Sequence, residues 1–177
     1  MPRSSSYRLL ALVALAAIFV PGRAQAQASA PATSLGTAIG VAYGVSQYDL
    51  SGTGTVPHLA MRVTHPLSRI VLFEAGVGLM RYRTSGRDRA SMIFPEAQLQ
   101  VQAPLGRVAP YLGLGGGIAI GAISDAADVG PTASGALGVR MAVTPAMALS
   151  AELRVRGTGS EFTGSTAEWT LGAAWRP

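Results

Sequence analysis

Nine charged residues, Arg62, Glu74, Glu96, Arg140, Glu152, Arg154, Arg156, Glu168 and Arg176, sit in stretches that alternate residue by residue, on positions otherwise rich in Gly, Ala, Ser, Thr and Gln. The intervening positions are mostly Leu, Val, Ile, Met, Ala or Trp. Successive side chains of a strand point to opposite faces, so each stretch has one hydrocarbon wall and one small or charged wall. Arginine and glutamate meeting in an enclosed space can neutralise one another, or can pass protons or ions.

Other chemistry-bearing residues are fewer. His58 and His65 could act in hydrolysis or acyl transfer, but neither has a Ser two residues on in its strand to build a His/Ser/acid arrangement, so no catalytic residue is assigned and no enzyme is expected. Gly113-Leu114-Gly115-Gly116-Gly117 lacks the spacing and the following helix of a nucleotide-binding loop, and reads as a glycine-lined strand face. Asp125 and Asp128 are too few for a calcium site. With no cysteine in the chain there is no thiolate ligand or thiol nucleophile, and neither metal nor cofactor is expected.

The elements that must position these residues begin after an export signal. Met1 to Arg8 carries two arginines, Leu9 to Val20 is an unbroken apolar run, Pro21 and Gly22 break it, and Ala24-Gln25-Ala26 forms an A-x-A cleavage site. Residues 1–26 are therefore read as a signal peptide, with Ala26-Gln27-Ala28 a second possible cut, residues 27–34 as a short tail, and 35–177 as one domain. Composition agrees with export to a membrane: 49% of residues are hydrophobic and 13% charged, yet no run reaches the roughly 18 apolar residues of a spanning helix. Three of the fourteen basic residues lie in the signal, which leaves eleven against nine acids, too small an excess for nucleic-acid binding. All of them are Arg, which a GC-rich genome explains.

Eight alternating stretches follow, at about 35–48, 58–65, 70–83, 94–103, 112–121, 134–143, 149–156 and 167–176. Connections after the second, fourth and sixth are short and marked by proline, as at Pro66, Pro104 and Pro145. The other four, 49–56, 84–90, 124–131 and 158–165, are rich in Gly, Ser, Thr and Asp and read as outer loops. Charges inside and hydrocarbon outside predict an all-β fold, an eight-stranded antiparallel up-and-down transmembrane β-barrel with both termini on the periplasmic side. Trp169, Trp175, Tyr48 and Phe94 suit interfacial aromatic girdles.

This pattern resembles the small eight-stranded outer-membrane barrels, the family of the OmpA transmembrane domain and the opacity-type surface proteins. Thr170, Gly172 and Trp175 match most of the C-terminal signal by which that family is recognised for assembly, although Arg176 and Pro177 follow where it usually closes on an aromatic. The resemblance implies the bacterial cell outer membrane, with lipid, lipopolysaccharide and the barrel-assembly machinery as partners and a monomeric state. It also implies a plugged interior, since eight strands leave only enough room for side chains. Reflecting each hairpin through its turn sets Arg62 opposite Glu74, Arg140 opposite Glu152 and Arg154 opposite Glu168. Arg81, Arg83, Arg87 and Arg89 cluster at the outer end of the third strand, where lipopolysaccharide phosphates would lie. The leading expectation is a structural or surface-interaction barrel plugged by Arg/Glu pairs. Its alternatives are a narrow channel for ions or small solutes, a lipid A-modifying enzyme, and a soluble lipocalin-like carrier with the apolar face turned inward.

Overall fold

A computed structural model describes residues 36–48, 54–83, 89–123, 126–159 and 164–177. The segments read as signal peptide and tail, and most of the expected outer loops, lie outside the described residues. Eight strands run β1 (Ala38–Tyr48), β2 (Thr55–Pro66), β3 (Val71–Arg83), β4 (Arg89–Gln102), β5 (Val108–Ile123), β6 (Ala126–Ala142), β7 (Met147–Thr158) and β8 (Gly164–Trp175). Each pairs antiparallel with the next, and β1 pairs with β8 to close the barrel. Closure leaves no sheet edge along the paired length, so the ladder bonds are met within the barrel.

The two faces are the reverse of a water-soluble protein. Tyr43, Met61, Leu99, Leu112, Leu114 and Leu171 are exposed on the outer wall, Leu114 at 77% and Leu171 at 71%. Glu74, Glu152, Arg154, Arg156 and Glu168 are buried inside. The soluble carrier expected as an alternative is thereby overturned: its apolar face would have to line the interior, and here it lies outside.

Strands end where their turns dictate. At the end of the barrel holding connections 67–70, 103–107 and 143–146, here the turn end, Leu67 N donates to Val71 O at 2.9 Å and Val143 N to Met147 O at 2.9 Å. The middle turn carries Gly106 at φ 67°, in the left-handed region that glycine adopts without steric cost. At the opposite, loop end, β5 and β6 run 16 and 17 residues and pair as far as Ile123 with Ala126. The third outer connection, expected over 124–131, is thus reduced to residues 124–125, because Ala126 to Pro131 continue the ladder. Pro95 interrupts β4: the ladder to β5 lapses between Ile93–Ile120 and Glu96–Gly117, where proline offers no N–H.

Within the barrel an apolar cap fills the loop end. Met80, Phe94 and Ala119 are buried there, with Val56 and Met92 packed on them. Phe94 thus corrects the girdle expectation. Its position shares the inward face of Glu96 and Gln98, and it is 1% exposed. Trp169 and Trp175 stand on the outer wall.

Candidate functional site in the barrel lumen

Below the cap the inward positions of six strands bring four arginines and four glutamates into one network. Arg154 on β7 is its hub, with Nη2 2.9 Å from Glu74, Nη1 3.1 Å from Glu96 and Nε 3.1 Å from Glu152. Arg156, next inward on the same strand, forks onto both oxygens of Glu96 at 2.7 and 2.8 Å and also contacts Glu168. Its guanidinium lies over the Phe94 ring, 4.1 Å from the centroid. Arg62 reaches Glu152 at 2.9 Å, and Tyr111 donates its hydroxyl to the same carboxylate at 2.7 Å. Gln98 donates to Glu74 at 3.0 Å and Thr132 to Glu96 at 3.1 Å. The charges cancel four against four, and neutral donors take up several of the remaining lone pairs, although Glu168 Oε2 and Arg140 Nη1 stay without a hydrogen bond from the protein.

The ladder places the expected pairs differently. Arg62 stands opposite Gly76, and Glu74 opposite Thr64. Arg62 still approaches Glu74, at 3.9 Å, but its short contact is Glu152. Arg140 stands opposite Ser150, not Glu152, and turns to Glu74 at 3.5 Å and to Gln100, with its guanidinium 4.1 Å from the centre of the Tyr111 ring. Arg154 and Glu168 are opposite in the ladder, yet Glu168 contacts Arg156 while Arg154 turns to three other carboxylates. Hairpin reflection missed Glu96, Arg156, Tyr111 and the glutamines as members. Their inward parity was the available signal.

His58 is 1% exposed beside this network, its Nδ1 3.3 Å from Glu168 Oε2 without hydrogen-bond alignment. Strand pairing brings Ser46 level with Glu168, one pair from His58 level with Gly44. Ser46, His58 and Glu168 therefore gather residue types of a hydrolase from three strands, which a search along single strands does not find. The Ser46 hydroxyl makes no hydrogen bond, and His58 Nε2 lies toward Gly78, away from Glu168. The base-to-nucleophile contact of a triad is not formed. No group of three or more His, Cys, Asp or Glu side chains arranged for a metal occurs among the described residues.

Of the outer arginines, Arg81 is exposed and paired in the ladder with Ser91, and Arg83 pairs with Arg89. The side chains of Arg83 and Arg89 and the whole of Arg87 lie outside the described residues, as does Asp125. Thr170 is buried, Trp175 exposed at the turn end of β8, and Gly172 sits where an added Cβ would come within 2.7 Å of the Ser150 hydroxyl.

Solved structures share this architecture. Neisserial surface protein A superposes with a TM-score of 0.69 at 14% identity, covering 80% of this chain and 97% of that one. The fold is that of the small outer-membrane barrels. Ail, the attachment invasion locus protein of Yersinia pestis, gives 0.59 at 14% identity over 80% and 99% of the two chains. The N-terminal β-barrel domain of Pseudomonas aeruginosa OprF gives 0.52 at 14% over 78% and 96%. No family model and no curated protein matches the sequence. The outer-membrane barrel fold is thus shared without close sequence kinship, as expected where alternation and small inward residues are the main requirements.

Proposed function

We propose that this chain is an integral protein of the bacterial outer membrane with a structural or surface-interaction role, its lumen closed by the Arg/Glu network. The observation that carries this reading is the inverted barrel, with hydrocarbon outside and neutralised charge within. A belt holding Leu112, Leu114 and Leu171 far exceeds the apolar patches that soluble monomers expose, and lipid is the solvent that suits it. Residues 1–26 then act as the export signal, and N-terminal sequencing of the mature protein should begin at Gln27 or Ser29. Thr170, Gly172 and Trp175 serve recognition by the barrel-assembly machinery, and Arg81, Arg83, Arg87 and Arg89 contact lipopolysaccharide phosphates. The protein acts as a monomer and binds no nucleic acid. Ail is by name an attachment protein, and attachment is the kind of surface role that short outer connections on such a barrel can serve.

Heat-modifiability tests this first. Unboiled protein from outer-membrane fractions should migrate apart from boiled protein on SDS gels; a periplasmic protein without a shift would overturn the lipid-facing assignment. A second reading, a narrow conduit, is supported by water-sized spaces of about 10, 30 and 80 Å³ along the lumen. The apolar cap and the Arg/Glu network lie across that path. Planar-bilayer recording separates the two readings: steps of reproducible conductance favour the conduit, silence the plug.

A further inference from the structure

The β5–β6 hairpin leaves part of its backbone unpaired at the loop end. β6 stays in ladder with β5 up to Ala126 on Ile123, but β7 pairs with β6 only as far as Thr158 on Thr132. Gly159, at φ 88°, turns the chain away there, and β8 pairs with β7 from Gly164 on Thr158. Among the described residues, the side of 126–131 that faces away from β5 receives one bond, from Gly159 N to Pro131 O at 3.0 Å. Backbone groups of an antiparallel ladder alternate in direction from residue to residue. Ala142 N donates to Arg107 O on the β5 side and Val143 N to Met147 O on the β7 side, and the register runs without a bulge. Even-numbered residues of β6 therefore bond to β5, and odd-numbered ones point the other way. The N–H and C=O of Ala127 and Val129 stand on the open side, about 7 Å apart.

Their surroundings decide what they can meet. Hydrocarbon satisfies no backbone group, so residues 126–131 stand clear of the bilayer on the loop side. Val129 is 59% exposed, and Asp128 is exposed on the opposite face of the strand. Pro131, with no N–H, ends the edge toward the barrel. No bulge twists this edge away, and an open, regular edge is a template for another extended chain.

We propose that the open side of residues 127–131 binds an extended polypeptide segment, neutral or basic, of a protein outside the cell, which joins β6 as an added strand. This deepens the surface-interaction reading and rests on it for the side of the membrane that the edge faces. Main-chain bonds to Ala127 and Val129 supply the affinity. A residue of the added strand level with Asp128 shares its face, so Lys or Arg is favoured there and Asp or Glu opposed; on the other face an apolar neighbour covers Val129. A lipid headgroup does not repeat donor and acceptor at the two-residue period of a strand, whereas any extended backbone does.

The test is amide hydrogen exchange, followed by NMR on the folded mature protein in dodecyl maltoside. Without ligand, the amides of Ala127 and Val129 should exchange fast, and those of Asp128 and Gly130, bonded to β5, slowly. The probe is a blocked peptide alternating valine with lysine, which at saturation should slow Ala127 and Val129 by about tenfold or more. The same peptide with every amide N-methylated should not bind, and one with glutamate in place of lysine should bind more weakly. Val129→Pro deletes the outward donor and leaves the β5 ladder intact. It should keep the heat-modifiable shift and weaken peptide binding by about fivefold or more, read at Ala127. Asp128→Asn should weaken the lysine peptide by about two- to threefold. A Val129 amide already as slow as that of Asp128 in the free protein would mean that the chain covers its own edge, and would overturn the proposal. So would equal binding of the N-methylated peptide, full affinity of Val129→Pro, or no slowing at millimolar peptide. The gel shift reports the membrane reading separately: its presence without protection refutes the edge alone, and its absence refutes the barrel reading itself.

Discussion

Arg154 touches carboxylates from three strands, Glu74 on β3, Glu96 on β4 and Glu152 on β7, and is 6% exposed. Replacing it by Met keeps much of the volume and leaves three acids short of a partner. The expected loss is about 3–5 kcal/mol, the range for a buried charge stripped of its counterion, read as a lower urea midpoint for the refolded barrel in lipid vesicles. An unchanged midpoint would mean that water reaches the network and screens it. Phe94→Ala removes both the ring under Arg156 and the centre of the apolar cap, with an expected cost of about 3–5 kcal/mol in the same assay. That the charges face inward was legible from parity, because a strand's period is two. Which arginine meets which glutamate was not. Arg154 and Glu96 come from β7 and β4, strands that share no hairpin, and only the curvature of a closed barrel brings their side chains across the lumen.

At the scale of the hairpin, register depends on where the turn is centred. Reflection through a turn centred near Leu67 and Ser68 sets Arg62 on Glu74, whereas the ladder closes with Pro66 on Leu72, which centres the pairing on Arg69 and gives Gly76. The β6–β7 turn does centre on Pro145, and reflection about that residue sets Arg140 on Ser150; Glu152 would need a centre one residue later. One residue at the turn moves a partner by two, which keeps the face and changes the neighbour. For β7 and β8, reflection and ladder agree in setting Arg154 on Glu168. Close approach of strands adds a second constraint at this scale. At Gly44, on the β1–β8 seam, a Cβ would overlap the Trp169 carbonyl. Gly44→Val should therefore prevent closure and abolish the heat-modifiable form, while Gly54→Ala, where nothing lies within 4 Å, should leave it intact. A normal gel shift for Gly44→Val would show that the seam relaxes.

Across the whole molecule, charge is gathered inside the barrel and cancelled there, arginine against glutamate. A closed plug predicts that purified protein stays electrically silent in planar bilayers, and that Phe94→Ala or Arg154→Met, if it folds, raises the frequency of conducting events by emptying part of the lumen. Wild-type protein with steady, ion-selective steps would transfer the network from plug to pathway. The sequence by itself determined the eight strands, the hydrocarbon exterior, the charged interior and the proline-marked turns at one end, because each follows from local periodicity and from proline or glycine at the breaks. Tertiary structure alone decided the partners of each charge, the apolar cap around Phe94 and the length of the β5–β6 hairpin. Those features depend on contacts between strands far apart in the chain, set by how the sheet closes and how far each arginine reaches across it.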